Sequence, residues 1–255
     1  MKKILKEFND KTLFETQNDF DFFHRVFNDG DLSKYQNRLK AIGAYDLENV
    51  LDSGCGFGQW SFALSSMNKK ITSYDVAEDR IKIANDIKYK LKNNNINFIN
   101  TKNPNSIFKD NQFDFIFSYG VVQCTPYKEK LSQYYRMLKP GGKLYFSAAD
   151  IGWFIYYAID GHNDTEGYST REWGIDTLVN SLNYHESGEF KEGSNTIIPY
   201  KSITTVLEKI GFNSIKLGED GSINLDNSVT TERFFPFKKY NEIAIYEVLC
   251  SKPAI

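Results

Sequence analysis

The sequence predicts an α/β fold: a mostly parallel sheet covered by helices on both faces. Three observations predict it. Between residues 49 and 150, short apolar runs alternate with helical stretches, the pattern of βαβ units whose strands are buried on both sides. The first of these runs breaks into a glycine-rich turn that opens a helix. The alternation then resumes at the C-terminal end, with a helix over 200–210 ended by Gly211, a strand near 212–217 and a last strand over 243–250.

The elements follow in order. Residues 12–29 carry Leu13, Phe14, Phe20, Phe22, Phe23, Val26 and Phe27, the later ones at helical spacing, and Asn28-Asp29-Gly30-Asp31 ends that helix. A second helix spans 32–43 and stops at Gly43. Asn49-Val50-Leu51-Asp52 is a short strand that runs into Ser53-Gly54-Cys55-Gly56-Phe57-Gly58, and Trp60, Phe62, Ala63 and Leu64 begin a helix behind it. Ile71 to Asp75 is a β-rich run ending on an acid, and residues 78–92 form a helix through Ile81, Ile83, Ala84, Ile87 and Leu91. Strands are expected at 96–99 and 113–118, a helix at 128–138 stopped by Lys139-Pro140-Gly141-Gly142, and a strand at 143–147. From 151 to about 197 the regular alternation lapses.

Composition excludes several classes. A chain of 255 residues makes one large domain or two small ones and buries a core without metal or disulfide staples. Basic residues number 31 and acidic residues 33, net −2, which is not the basic footprint of a nucleic-acid binder. Mean hydropathy is −0.48, and no apolar run approaches the ~20 residues of a membrane helix. The basic N-terminal residues have no hydrophobic stretch behind them, so no secretory signal is expected. Cys55, Cys124 and Cys250 are far apart, with neither zinc-ligand spacing nor a disulfide framework. The expectation is a reduced, cytoplasmic protein with no metal, no nucleic acid and no membrane as partner.

The sharpest motif is Asp52-Ser-Gly54-Cys-Gly56-Phe-Gly58 between a strand and a helix. Glycines let the backbone approach a ligand closely, and the helix N-terminus behind them presents N–H groups. Asp75 ends the next strand, 75 − 58 = 17 residues past the last glycine, where a carboxylate can accept both hydroxyls of a ribose. A dinucleotide fingerprint starting at Gly54 would need a small residue at 59, and that position is Gln.

D-x-G-x-G-x-G resembles motif I of the class I S-adenosylmethionine-dependent methyltransferases. Asp75 matches that family's ribose-binding acid. Gln112 to Ser118 resembles its fourth strand, and Met137-Leu138-Lys139-Pro140-Gly141-Gly142-Lys143-Leu144 its turn into the fifth. The resemblance implies a Rossmann-like, seven-stranded, mostly parallel sheet with an antiparallel last strand, and S-adenosylmethionine as cofactor. On that basis the chain is one methyltransferase domain: N-terminal helices over 1–45, a cofactor-binding half over 46–150, an inserted substrate cap after the fifth strand over 151–197, and a C-terminal helix and last strands over 198–255. It implies Asp52 near the methionine amine, Gly54, Cys55, Gly56 and Gly58 along the cofactor, Asp75 on the ribose and Val76 on the adenine. The family's acid after the third strand is absent, and Asn103 takes its place as adenine partner. Ser118 and Tyr119 fall near the methionine moiety, Gln123 where many relatives have histidine, and Arg38 or Tyr35 within reach of the cofactor carboxylate.

The acceptor site is expected outside these motifs, in the cap. Tyr157, Tyr168 and Trp173, with polar Asn163 and Arg171 among them, offer faces to stack on and groups to orient hydroxyls. Asp150, His162 and, less directly, His185 are candidate bases, whereas His24 reads as packing. The expected acceptor is a small-molecule hydroxyl, foremost a sugar or nucleotide-linked sugar. A quinone, a phenol or an amine natural product, an RNA or protein substrate, and a non-catalytic cofactor-binding module are the competing readings.

Overall fold

The computed structural model describes residues 1–27, 30–161, 164 and 169–254. The described residues form strands β1 (Asn49–Ser53), β2 (Lys70–Asp75), β3 (Ile96–Asn100), β4 (Phe113–Ser118), β5 (Leu138–Ala149), β6 (Asn213–Glu219), β7 (Lys238–Lys239), β8 (Glu242–Ile243) and β9 (Ile245–Ser251). Seven of them make one sheet in the order β3-β2-β1-β4-β5-β9-β6, while β7 and β8 pair with each other. β1 is parallel to β2 and β4, and β2 to β3. β9 is antiparallel to both β5 and β6, so the last strand in the chain is the reversed one, as the family resemblance implies. The helices are α1 (Lys2–Leu5), α2 (Gln17–Phe27), α3 (Ser33–Ala41), α4 (Gln59–Ser65), α5 (Glu78–Lys90), α6 (Tyr127–Met137), α7 (Ile151–Asp160), α8 (Thr170–Ser187) and α9 (Tyr200–Ile210).

The chain forms two compact units, the first made of residues 1–109, 113–117 and 225–232, the second of 110–112, 118–224 and 233–255. In the first unit, Val50, Leu51, Ile71, Phe115, Ile116 and Phe117 are buried along strands covered on both faces, which is why these strands read as apolar runs rather than alternating ones. The N-terminal segment adds an aromatic cluster: Phe23 stands 5.5 Å from Phe8, 5.2 Å from Phe14 and 5.3 Å from Phe57, ring centre to ring centre. The 225–232 segment is tied to α3, where the Leu225 N–H donates to the Ala41 carbonyl at 2.6 Å and the buried Arg38 guanidinium donates to the Glu232 carbonyl.

In the second unit, β5 and β9 pair from Lys143–Ser251 to Ala149–Ile245. The expected break at Lys139–Gly142 is not a separating turn. The chain leaves α6 at Met137 straight into β5, because the Gly141 N–H donates to the carbonyls of Lys252 and Pro253 and the Lys252 N–H to that of Gly142. The last strand begins at Ile245 rather than 243, since Glu242 and Ile243 are taken up by β7. The stretch where alternation lapses holds α7 and α8. Asp150 caps α7 through its side chain, and Ser169-Thr170-Arg171-Glu172 opens α8 with the Ser169 hydroxyl accepting from the Glu172 N–H at 3.3 Å. The two helices touch at Gly174, where a Cβ would lie 2.8 Å from the Phe154 carbonyl oxygen.

Candidate active site

The glycine loop is built by its own turn bonds. The N–H groups of Gly54 and Cys55 donate to the Tyr74 carbonyl at 2.8 and 3.0 Å, and the Gly58 N–H to the Cys55 carbonyl at 2.9 Å. Asp75 then staples this loop to the end of β2. Its Oδ2 accepts from the Gly56 N–H at 2.8 Å and its Oδ1 from the Ala77 N–H at 2.9 Å. A carboxylate offers about four acceptor positions, so each oxygen keeps one for a further donor. Gly58 has φ +88°, and a Cβ there would stand 2.7 Å from Phe98 Cζ, so only glycine fits this last position of the motif.

Asp52 lies at the exit of β1, 2% exposed, and accepts a 2.6 Å bond from the Ser61 hydroxyl. Burial pushes its carboxyl up to about 7; the Ser61 bond opposes this and the neighbouring Asp75 charge adds to it. Burial also drives the Cys55 thiol well up, and the two carboxylates add to that. Two acids this close inside a buried loop favour a cation beside them. Gln59, the first residue of α4, is 8% exposed, and its Oε1 is buried without a hydrogen-bond partner. The loop is thus preformed, and it fits a ligand that carries a positive charge, hydroxyls and a donor.

Other residues of this unit complete the cradle. Val76 is 59% exposed, so the residue expected on adenine is not core. At the end of β3, the Asn100 amide donates to the carbonyls of Asp75 (3.1 Å) and Val76 (3.0 Å). Asn103 engages only through its backbone, its N–H donating to Thr101 Oγ1 at 3.1 Å and its carbonyl accepting from Ser106. Sequence reasoning passed over Asn100; its place at a strand end was the one available signal. The Tyr35 hydroxyl donates to the Val26 carbonyl at 2.6 Å. Helix α2 reaches the loop. Arg80 lies 5.6 Å from the ring centres of both Phe22 and Phe57, and its Nη2 is 2.6 Å from Asp19 Oδ1.

The second unit holds the remaining candidates. Ser118 is fully buried, with its hydroxyl 3.0 Å from that of Tyr134. Tyr119 donates from its hydroxyl to Asp220 Oδ1 at 2.8 Å. Gln123 sits in a short 3-10 turn, its carbonyl accepting from the Thr196 N–H at 2.7 Å and its side-chain oxygen buried without a partner. The structure gives Asp150 a different task from the expected base. Its two oxygens accept from the Ile151 N–H (2.6 Å) and the Tyr200 N–H (2.8 Å), the first residues of α7 and α9. Arg171 donates to the Ile159 carbonyl and lies 3.8 Å from Asp164, tethering α8 to the end of α7. His185 Nε2 is 3.0 Å from the Ile197 carbonyl. His162, Asn163 and Tyr168 lie outside the described residues.

Half-buried rings run through this unit. Tyr119 is 6.1 Å from Phe235, Phe235 is 5.6 Å from Trp153, Trp153 is 5.1 Å from Tyr157, and Tyr157 is 5.1 Å from Trp173. Trp153, Trp173 and Phe235 rest on a buried cluster of Ala149, Phe154 and Ile245. The spacing of Tyr157 and Trp173 was visible in the sequence; the part played by Phe235, 62 positions further on (235 − 173), was not.

A sheet of this order, with a glycine loop after its first strand and an acid ending its second, defines the class I S-adenosylmethionine-dependent methyltransferase fold. Residues 50–142 match the family model described as "Methyltransferase domain". The chain is 27% identical over 113 residues to the demethylmenaquinone methyltransferase of Oceanobacillus iheyensis, covering 43% of this chain and 48% of that one. It is 29% identical over 153 residues to that of Lactococcus lactis, covering 56% and 59%. The chain therefore spans about half the length of the curated relatives it matches. Among solved structures, Haemonchus contortus phosphoethanolamine N-methyltransferase 2 with S-adenosyl-L-methionine superposes with a TM-score of 0.65 at 16% identity, over 98% of this chain and 60% of that one. That likeness shows the shared fold.

Proposed function

We propose that this protein transfers the methyl group of S-adenosylmethionine to a small-molecule acceptor bearing an aromatic or quinol ring. The observation that carries the cofactor half is Asp75: a buried carboxylate with one acceptor position left on each oxygen, held rigid by Gly56 and Ala77. When bound, the cofactor supplies an already activated methyl group. The chain's residues bind and orient. Asp75 accepts from the two ribose hydroxyls. Asp52 faces the cationic methionine end, and the Gln59 amide oxygen is an acceptor for its ammonium. Gly54, Cys55, Gly56 and Gly58 give the backbone close approach, and Val76 with Asn100 or Asn103 borders the base. Arg38 and Ser118 are carried as candidate cofactor contacts on the sequence resemblance, while Tyr119, expected there too, is read instead on the acceptor side, because its hydroxyl is engaged by Asp220. Such positioning alone can supply up to ~7–11 kcal/mol of the barrier.

The acceptor half of the reading is supported by the run of half-buried rings, which includes Tyr157 and Trp173, and by relatives named for a demethylmenaquinone. Gln123 stands as a candidate catalytic residue beside the transferred methyl, and Arg171 as a candidate acceptor contact. The sugar hydroxyl expected from sequence draws on the same mixture of rings and polar groups in the cap; the relatives named for a demethylmenaquinone favour the flat acceptor instead. No helix among the described residues is long and apolar enough to cross a membrane; the reduced cytoplasm is the compartment this reading takes.

A thermal-unfolding titration tests the cofactor. S-adenosylhomocysteine at 100 times its Kd adds about 2.7 kcal/mol and raises Tm by several degrees. NADH is expected to leave Tm unchanged; a shift with NADH alone overturns the reading.

A pH experiment tests Asp52. The unfolded chain releases this proton near the ordinary carboxylate pKa of about 3.9, while the folded protein holds it to about 7. In that window the folded state binds more protons, so unliganded stability falls as pH rises from about 4 to 7. A cation beside Asp52 favours the ionised form. Cofactor affinity should therefore rise from pH 5 to 7 with release of a proton, and calorimetry in buffers of different ionisation heat reads it. Asp52→Asn should flatten that dependence; a slope that survives the substitution assigns it elsewhere.

A further inference from the structure

We infer that Asp220 is a positioning residue for the acceptor, acting through the phenol of Tyr119. This rests on the functional reading above and deepens it. Asp220 is 1% exposed, just past the end of β6. Its Oδ1 accepts from the Tyr119 hydroxyl at 2.8 Å, and its Oδ2 accepts from the N–H groups of Phe234 and Phe235 at 2.6 and 3.0 Å. One buried carboxylate thus joins the loop after β4 to the 234–235 turn. Hydrogen bonds to a charged acceptor are short and strong, and a buried carboxylate must have such donors.

The consequence is geometric. The Tyr119 ring stands edge-on to Phe234 at 6.2 Å and lies 31° from the plane of Phe235 at 6.1 Å. Phe235 carries the run on to Trp153, Tyr157 and Trp173. Stacked and edge-on rings prefer centre separations of 4.5–7 Å and add roughly 0.5–1.5 kcal/mol per pair, too little to set one orientation for the half-buried Tyr119. The carboxylate sets it, by fixing the phenol at one end and the backbone of Phe235 at the other. Tyr119 and Phe235 are then held as the first two faces of a rigid platform. A planar ring gains from a platform ordered before it arrives, since no side-chain freedom is lost on binding. The ligand class is a flat aromatic or quinoid ring. Asp220 is therefore the point where substitution should loosen the platform.

The test uses the full chain and 1,4-naphthoquinone as probe, with quenching of Trp153 and Trp173 fluorescence as readout in a Trp60→Phe background. Tyr119→Phe keeps the ring and removes only the hydroxyl. Asp220→Asn keeps the volume and removes the charge. Each is expected to weaken naphthoquinone binding about tenfold, equivalent to 1.4 kcal/mol, with the Kd for S-adenosylhomocysteine within twofold of the parent. The double variant should be no weaker than either single one, because both break the same contact. General loosening would instead weaken both ligands and add in the double variant, and that result overturns the proposal. Unchanged naphthoquinone binding in Tyr119→Phe overturns it too, even should Asp220→Asn fail to fold. A parent that binds S-adenosylhomocysteine but not naphthoquinone overturns the ligand class alone, while a parent that binds neither overturns the functional reading and this inference with it.

Discussion

Asp75→Ala is expected to weaken S-adenosylhomocysteine binding by at least 100-fold. On the proposed reading the two ribose hydroxyls each lose a bond to a charged acceptor, worth ~1.5–3 kcal/mol, and 3 kcal/mol is roughly 150-fold in Kd. The structure adds a second cost. The Gly56 and Ala77 N–H groups bond to this carboxylate at 2.8 and 2.9 Å, and alanine leaves both without it. The glycine loop loses its anchor to β2, so Tm should fall even without ligand. Asp75→Asn should lie between, since one oxygen still accepts while the amide nitrogen cannot. Isothermal calorimetry on folded protein decides. A folded Asp75→Ala variant that binds like the wild type would mean that the ribose is held elsewhere.

Gly58→Ala is expected to cost a large share of the protein's stability. The added Cβ meets Phe98 Cζ at 2.7 Å and Cε1 at 2.9 Å, with Phe62 Cε2 at 3.3 Å. Overfilling a packed core costs ~1–3 kcal/mol, and a side chain at φ +88° adds a left-handed penalty of ~1–2 kcal/mol. A total near 3 kcal/mol lowers Tm by roughly 6–12 °C in a protein of this size. Gly56→Ala is the internal comparison. It has φ +53°, but its nearest contact would be Phe22 at an ordinary 3.7 Å, so only the backbone penalty of ~1–2 kcal/mol applies. Equal Tm losses in the two variants would show that Phe98 moves aside and that packing is not what selects glycine at 58.

The expected fold class is what the structure has, and the reason is local, whereas the antiparallel last strand, which the structure also has, was implied only by the family resemblance. Parallel strands buried on both faces show as short apolar runs, and glycines and acids at strand ends mark where the chain turns. Motif I and Asp75 lie within 24 residues of one another (75 − 52 + 1), so turn chemistry and spacing were enough to find them. Where backbone partners come from afar, the reading missed. The helix does end ahead of Lys139–Gly142, at Met137, as expected, but partners at Lys252 and Pro253 draw that segment into β5, which begins at Leu138 rather than at 143.

Side-chain tasks divide the same way. Sequence alone determined that Asp52, the glycines and Asp75 form one loop system, because a few residues dictate their own backbone. Only the tertiary structure decided that Asp150 caps two helices 50 positions apart, that Asn100 and not Asn103 tethers the end of β2, that Arg80 pairs with Asp19 across 61 positions, and that Asp220 holds Tyr119 across 101. The physical reason is that a buried polar group must find its partner wherever the fold brings one. Periodicity and propensity describe a residue's neighbours in the chain, whereas the desolvation cost that selects these partners is set by neighbours in space.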